Sequence, residues 1–217
     1  MLTIKDLFDL DHTIAKDYLA QFTYPWEALA GIKDFILSVG PTLEGYDEVS
    51  PQVWVHKTAT VAPTAYLGSP CIIGPETEVR HCAFIRGSAL VGAGCVVGNS
   101  VELKNVVLFD KVQVPHYNYV GDSVLGYRAH MGAGSITSNV KSDKTLVVVK
   151  GGDERIETGL KKFGAMLGDC VEVGCNSVLN PGSVIGRRAS IYPTSSVRGV
   201  VPADCIFKSA EEIVKRD

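Results

Sequence analysis

Residues 114–122 read VPHYNYVGD, which gathers a proline, a histidine and two tyrosines within a few positions. His116 is of the residue type best suited to accept a proton near neutral pH, because an imidazole titrates in the physiological range. At wider spacings stand Arg86, Glu102, Lys104, Asn139 and Lys144. Arg86 and Lys104 lie 18 positions apart (86 to 104). In a coil of that length they stack on one face, roughly one inter-strand spacing of ~5 Å apart. Two stacked cations repel, and a phosphate between them relieves that repulsion through charge-assisted hydrogen bonds to both. The plainer readings are a bulged corner with a surface histidine, and two solvated cations that splay apart.

The element that positions these residues is set by a beat of six. From Val55, steps of six reach Val61, Leu67, Ile73, Val79, Ile85, Val91, Val97, Leu103 and Phe109, every one apolar. Four positions after most of them comes a small residue, such as Ala59, Ala65, Cys71, Thr77, Ala83, Ala89 and Cys95, and glycine often follows the apolar residue directly. Neither a strand of period two nor a helix of period 3.6 produces such a beat. A short strand followed by a corner does: three units close a triangular coil of ~18 residues, and stacked coils pair their strands in parallel. The beat stops at VPHYNYVGD, returns at Val120, Leu125 and Met131 with one five-residue step, and is strict again from Leu167 to Val197. The reading is an all-β fold, a parallel β-helix over 51–206, interrupted by a polar loop near 138–163.

Residues 1–50 read as a helical cap. Leu7, Phe8, Ile14, Tyr18, Leu19 and Phe22 recur at helical spacings, Pro25 opens a second run, and Gly40-Pro41 stops it. Such a cap could cover the open edge of the first coil. At the other end Ser209 and Glu212 form a capping-box pattern followed by Lys215 and Arg216, which predicts a short helix over 207–217.

Bulk properties narrow the function. A net charge of −3 argues against a general nucleic-acid partner, since neutralising phosphates needs a basic face. No stretch approaches the ~20 apolar residues of a membrane span, and the first residues lack a leader's pattern, so the expected location is the cytoplasm. The six cysteines form no C-x-x-C pair, which reads as small buried hydrophobes rather than disulfides or a metal site.

The runs NSVELKN (99–105), VPHYNYVGDSVLG (114–126), MGAGSITSNV (131–140) and KKFGAMLGD (161–169) resemble the acetyltransferase half of the bifunctional N-acetylglucosamine-1-phosphate uridylyltransferase/glucosamine-1-phosphate acetyltransferase family, especially its archaeal and related bacterial forms. The resemblance covers about residues 55–205. It implies a left-handed hexapeptide-repeat β-helix, an exception to the usual hand of parallel crossovers, and acetyl transfer from acetyl-CoA to an amino-sugar phosphate in a homotrimer with sites between subunits. By the same resemblance His116 is the general base, and Glu102 and Asn139 orient the sugar near its amine. Arg86, Lys104, Tyr119, His130 and Lys144 contact the sugar or its phosphate, while Ala133, Cys175 and Pro193 contact the coenzyme. The chemistry suits these types: a neutral amine is needed to attack a thioester, and backbone amides of Gly132-Ala133-Gly134 can approach an oxyanion closely. No metal is expected.

Departures accompany the match. His130 stands where the family has Asn, Val140 where bacterial members have Tyr, and residues 1–50 show no match to the L-x-x-G-x-G-[ST]-[KR] nucleotide loop of the uridylyltransferase half. The chain is therefore not expected to make a nucleotide sugar by itself, and a separate nucleotidyltransferase is a candidate partner. Two other readings compete. One is a non-catalytic sugar-phosphate-binding scaffold or regulatory partner of a nucleotidyltransferase. The other is a protein like the zinc carbonic anhydrases of this fold, using His81 and His116, although Gly121 occupies the place of a third ligand and two protein ligands are too few.

Overall fold

The structure is a computed structural model and describes residues 1–216. The chain winds into a parallel β-helix with three faces. Strands on the first face include Val53–His56, Cys71–Ile73, Ala89–Val91, Ala165–Leu167 and Ser183–Ile185. Those on the second include Thr60–Val61, Glu78–Val79, Val96–Asn99, Gln113–His116, His130–Met131 and Glu172–Val173. The third carries Tyr66–Leu67, Phe84–Ile85, Ile136–Thr137, Val178–Leu179 and Ser196–Val197. The aliphatic residues of the six-residue beat point inward and are buried, as at Ile73, Val79, Ile85, Val91, Val97 and Leu103.

The beat slips earlier than its pattern suggests. Leu108, not Phe109, is in register with Val91 and Leu125, so one residue is lost between Leu103 and Leu108 and a second between Val120 and Leu125. Strands Glu102–Leu108 and Tyr119–Leu125 run unbroken around that corner and join the third face to the first. Around His116, by contrast, the winding is regular. Tyr117 has φ 52°, matching Cys82 (φ 60°), Ser100 (φ 54°) and Asn176 (φ 55°) at the same corner of other coils. The expected bulge at His116 is thus an ordinary corner, and the irregular one carries Lys104, Asn105, Gly121 and Asp122.

The helices of the N-terminal segment do not cover the edge of the first coil. Short helices, the longest Ile32–Val39, run along the first face against the direction of winding. Met1 meets Glu154, Phe8 packs on Phe109 with ring centroids 5.0 Å apart, Trp26 on Phe163 at 5.7 Å, and Asn105 donates to the Leu29 carbonyl at 3.1 Å. This explains why first-face strands such as CII, ALV, AML and SVI are apolar without alternation: both sides are covered, so Ile72, Leu90, Met166 and Val184 are buried although they point outward. The same N-terminal segment still covers that edge of the first coil through its last residues, strand Tyr46–Ser50, antiparallel on Val53–His56.

The C-terminal helix is not formed either. Ile213–Lys215 is a strand, antiparallel on Cys205–Phe207. A turn of helix offers little free energy, whereas the open edge of the last coil offers a full row of backbone partners. Asp217 lies outside the described residues. The polar loop contains an antiparallel hairpin, Val148–Gly151 with Glu154–Glu157, anchored by buried Val147, Val149 and Phe163. Among the described residues no helix is long and apolar enough to cross a membrane. Of the cysteines, Cys71, Cys95 and Cys205 are buried as expected, and burial pushes the thiols of Cys71 and Cys95 up to about 12; Cys170 is half-buried, while Cys82 and Cys175 are exposed.

Candidate functional site

His116 ends the second-face strand Gln113–His116. Its register follows from backbone hydrogen bonds that continue along one corner. The amide of Ser100 donates to the His81 carbonyl (3.3 Å), Tyr117 to Asn99 (2.9 Å), Gly134 to His116 (3.0 Å), Asn176 to Ala133 (2.8 Å) and Thr194 to Cys175 (2.8 Å). One column therefore holds His81, Asn99, His116, Ala133, Cys175 and Pro193. The proton-acceptor candidate and the three coenzyme candidates, far apart in sequence, stand on consecutive rungs. The His116 backbone is held by Asn118, whose side chain accepts from the His116 amide at 3.1 Å and donates to the Gly132 carbonyl at 2.8 Å. The imidazole is exposed and has no side-chain hydrogen bond among the described residues.

Around the corner, on the third face, the polar candidates form a network. Arg86 and Lys104 occupy adjacent rungs, as the 18-residue spacing predicts: Phe84–Ile85 pairs with Glu102 and Leu103, and the Arg86 amide bonds the Leu103 carbonyl at 2.8 Å. Neither is an open charge. Arg86 donates to Glu102 at 2.8 Å, and this bond raises the guanidinium's pKa further. Lys104 Nζ bonds both carboxylate oxygens of Asp122, at 2.9 and 3.1 Å. Asp122, its side chain 5% exposed, also accepts from Asn105 at 3.0 Å and from Asn139 at 2.5 Å. Asn139 reaches the Tyr119 hydroxyl as well, at 3.1 Å.

Tyr119 lies across its own strand over Gly121. A Cβ at Gly121 would stand 2.5 Å from the Tyr119 hydroxyl and 3.0 Å from Asn139 Nδ2, so the close approach requires glycine. Burial, then the charges of Asp122 and Glu102, raise the phenol's pKa and keep it a neutral hydroxyl at physiological pH.

Two candidates lie elsewhere. His130 is on the second face, bonded to Glu172 at 2.8 Å, and faces away from the Arg86 network within one chain. Lys144 is exposed in the loop, its backbone in a turn with Lys141. Sequence reasoning missed Asp122 and Asn105, which hold the network together. The signal was Asp122 following Gly121 in a shortened coil, where a carboxylate one rung below Lys104 has a cation to meet. His81 and His116 are separated by two rungs, roughly 10 Å, and no group of three His, Cys, Asp or Glu side chains able to hold a metal is found among the described residues.

Three parallel faces with a beat of six residues, tight corners and an inserted loop define a hexapeptide-repeat β-helix. The chain is similar to curated proteins described as bifunctional. It is 37% identical over 106 residues to the bifunctional sugar-1-phosphate nucleotidylyltransferase/acetyltransferase of Sulfurisphaera tokodaii, covering 49% of this chain and 26% of that protein. It is 27% identical over 206 residues to the bifunctional protein GlmU of Methanococcus maripaludis, covering 93% of this chain and 50% of that one. The chain thus spans between a quarter and a half of the length of these relatives. Among solved structures, a hexapeptide transferase family protein from Anaplasma phagocytophilum is 15% identical, with 75% of this chain and 78% of that chain covered and a TM-score of 0.42. No family model matches the chain.

Proposed function

We propose that this chain is an acetyl-CoA-dependent N-acetyltransferase acting in the cytoplasm on an amino-sugar phosphate such as glucosamine-1-phosphate. The relatives' names supply the reaction class, and the observation that carries it is the unbroken column of His116, Ala133, Cys175 and Pro193. An extended thioester laid along that corner brings its acyl end to the imidazole. The sugar amine attacks the thioester carbonyl, a C–N bond forms as the C–S bond breaks, His116 takes the amine proton, and the proton passes to the departing thiolate. Gly132 and Gly134 already spend their amides on Val173 and His116 carbonyls. The Ala133 amide has no backbone partner among the described residues, which suits it to the developing oxyanion.

Arg86, Glu102, Lys104, Tyr119 and Asn139 form the acceptor side in this reading. His130 on another face is brought to the same acceptor by a second protomer, which favours a homotrimer with sites between subunits.

A second reading, a non-catalytic sugar-phosphate-binding partner of a nucleotidyltransferase, is favoured by one observation: Glu102 and Asp122 already neutralise Arg86 and Lys104. Thiol release from acetyl-CoA across a panel of amino sugars, with and without phosphate, separates the two. Acceleration by one sugar phosphate supports the enzyme; silence across the panel supports the scaffold.

A further inference from the structure

A cleft of about 240 Å³ opens where the inserted hairpin leans on the last coils, and four cations line it: Lys141, Lys150, Arg155 and Arg198. Lys141 is 3.4 Å from Asp143. Lys150, Arg155 and Arg198 are in no ion pair among the described residues, and Glu154, beside Arg155, is taken by the Met1 amine. Lys150 and Arg155 are direct partners across the antiparallel hairpin. Like charges opposite one another in that arrangement destabilise a hairpin, so packing of the free protein gives no reason for the pair.

The side chains of Lys150, Arg155 and Arg198 are exposed, but the backbones that carry them are held together. Gly199, at φ 75°, has the Lys150 carbonyl 2.5 Å from where a Cβ would stand, and Gly151 has Val200 at 2.8 Å from its own. With Val147 and Val149 fully buried beneath, the hairpin is fixed on the coil, and the backbone positions that carry Lys150, Arg155 and Arg198 are set before any ligand arrives. The volume is below the ~300–1,000 Å³ of sites for drug-sized ligands, which limits the occupant to a small anionic group.

We propose that this cleft is a second anion site, one that takes a diphosphate group. Arg198 follows Val197, and Val197 lies four rungs from Leu103 on the third face, through Val120, Thr137 and Leu179. At ~4.8 Å per rung that is about 19 Å, beyond the span of a sugar phosphate held at Arg86 and Lys104. The diphosphate therefore belongs to another ligand. Two sources share the chemistry, a nucleoside diphosphate and the nucleotide end of coenzyme A; only the second rests on the function proposed above.

Calorimetric titration with inorganic diphosphate at low salt tests the site directly. The parent chain is expected to bind saturably and more weakly as salt rises, and Arg155→Gln/Arg198→Gln to bind at least 10-fold more weakly. Without anion the double variant should melt no lower than the parent, because a repulsion has been relieved; a merely structural role predicts a lower Tm. Displacement of diphosphate by ADP or UDP but not by coenzyme A assigns the nucleotide source, and displacement by coenzyme A that the double variant loses assigns the other. No saturable diphosphate binding by the parent, or equal affinity in the double variant, overturns the proposal. The titration involves no acetyl transfer, so a silent acceptor panel leaves it standing.

Discussion

At the scale of single residues, two side chains carry different burdens. His116→Ala is expected to lower kcat by about 10²- to 10⁴-fold with less change in KM, the usual contribution of a general base; steady-state kinetics with the best acceptor checks it. Asp122 is structural: its carboxylate satisfies Lys104, Asn105 and Asn139 at a nearly buried position. Asp122→Ala leaves a partly buried ammonium without its partner, at a cost of about 3 kcal/mol, read by denaturant unfolding. Gly121→Ala should separate site from fold, because the new methyl displaces Tyr119 and Asn139 while the inward-facing residues are untouched. His116 and the Arg86–Lys104 spacing were legible in the sequence because a six-residue beat converts separation into position. Asp122 was not, since a Gly-Asp pair reads as a turn until the coil is known to be one residue short there.

At the scale of elements, the long segment on the first face is held by aromatic contacts and by the buried carboxylate of Asp169. Trp26→Ala should cost about 3–5 kcal/mol, visible as a lower Tm. Asp169 accepts from the amides of Asp9 at 2.7 Å and Tyr127 at 2.9 Å, and burial raises its pKa above the ordinary 3.8, as it does for Asp110. In the window above pH 3.8 the folded state then holds more protons than the unfolded chain, so this contribution falls as pH rises through the folded-state titration. Melting curves from about pH 4 to 6 should show the parent losing stability with rising pH relative to Asp169→Asn; parallel curves would remove Asp169 from this account.

The elements that sequence reasoning missed have physical causes. The slip between Leu103 and Leu108 is hidden because Leu108 and Phe109 are both apolar, and either satisfies the beat. The predicted C-terminal helix lost to an exposed strand edge whose pull depends on tertiary position. The hairpin was signalled by VVVKGGDERIE, two β-prone runs around a glycine turn.

At the scale of the whole molecule, the third face bearing Arg86 and the second face bearing His130 point apart in one chain, and a shared site needs neighbouring protomers. Sedimentation should give a trimer. Arg86→Ala and His130→Ala chains, each impaired alone, should recover activity when unfolded together and refolded as mixed trimers, because some interfaces then pair two intact faces. No recovery from mixed trimers would put His130 outside the site.

The segment that runs against the winding also sets an order of events. Residues 1–42 are synthesised before the surface they cover, which extends from the first coil, where Gly40 stands against Trp54, to the hairpin. Their docking waits for the prism to be wound, with a sequence separation of 153 residues between Met1 and Glu154 and the slow closure such a distance entails. Until then the outward apolar side of the first face is bare, and nascent chains halted before about residue 165 should be captured by chaperones far more readily than finished ones.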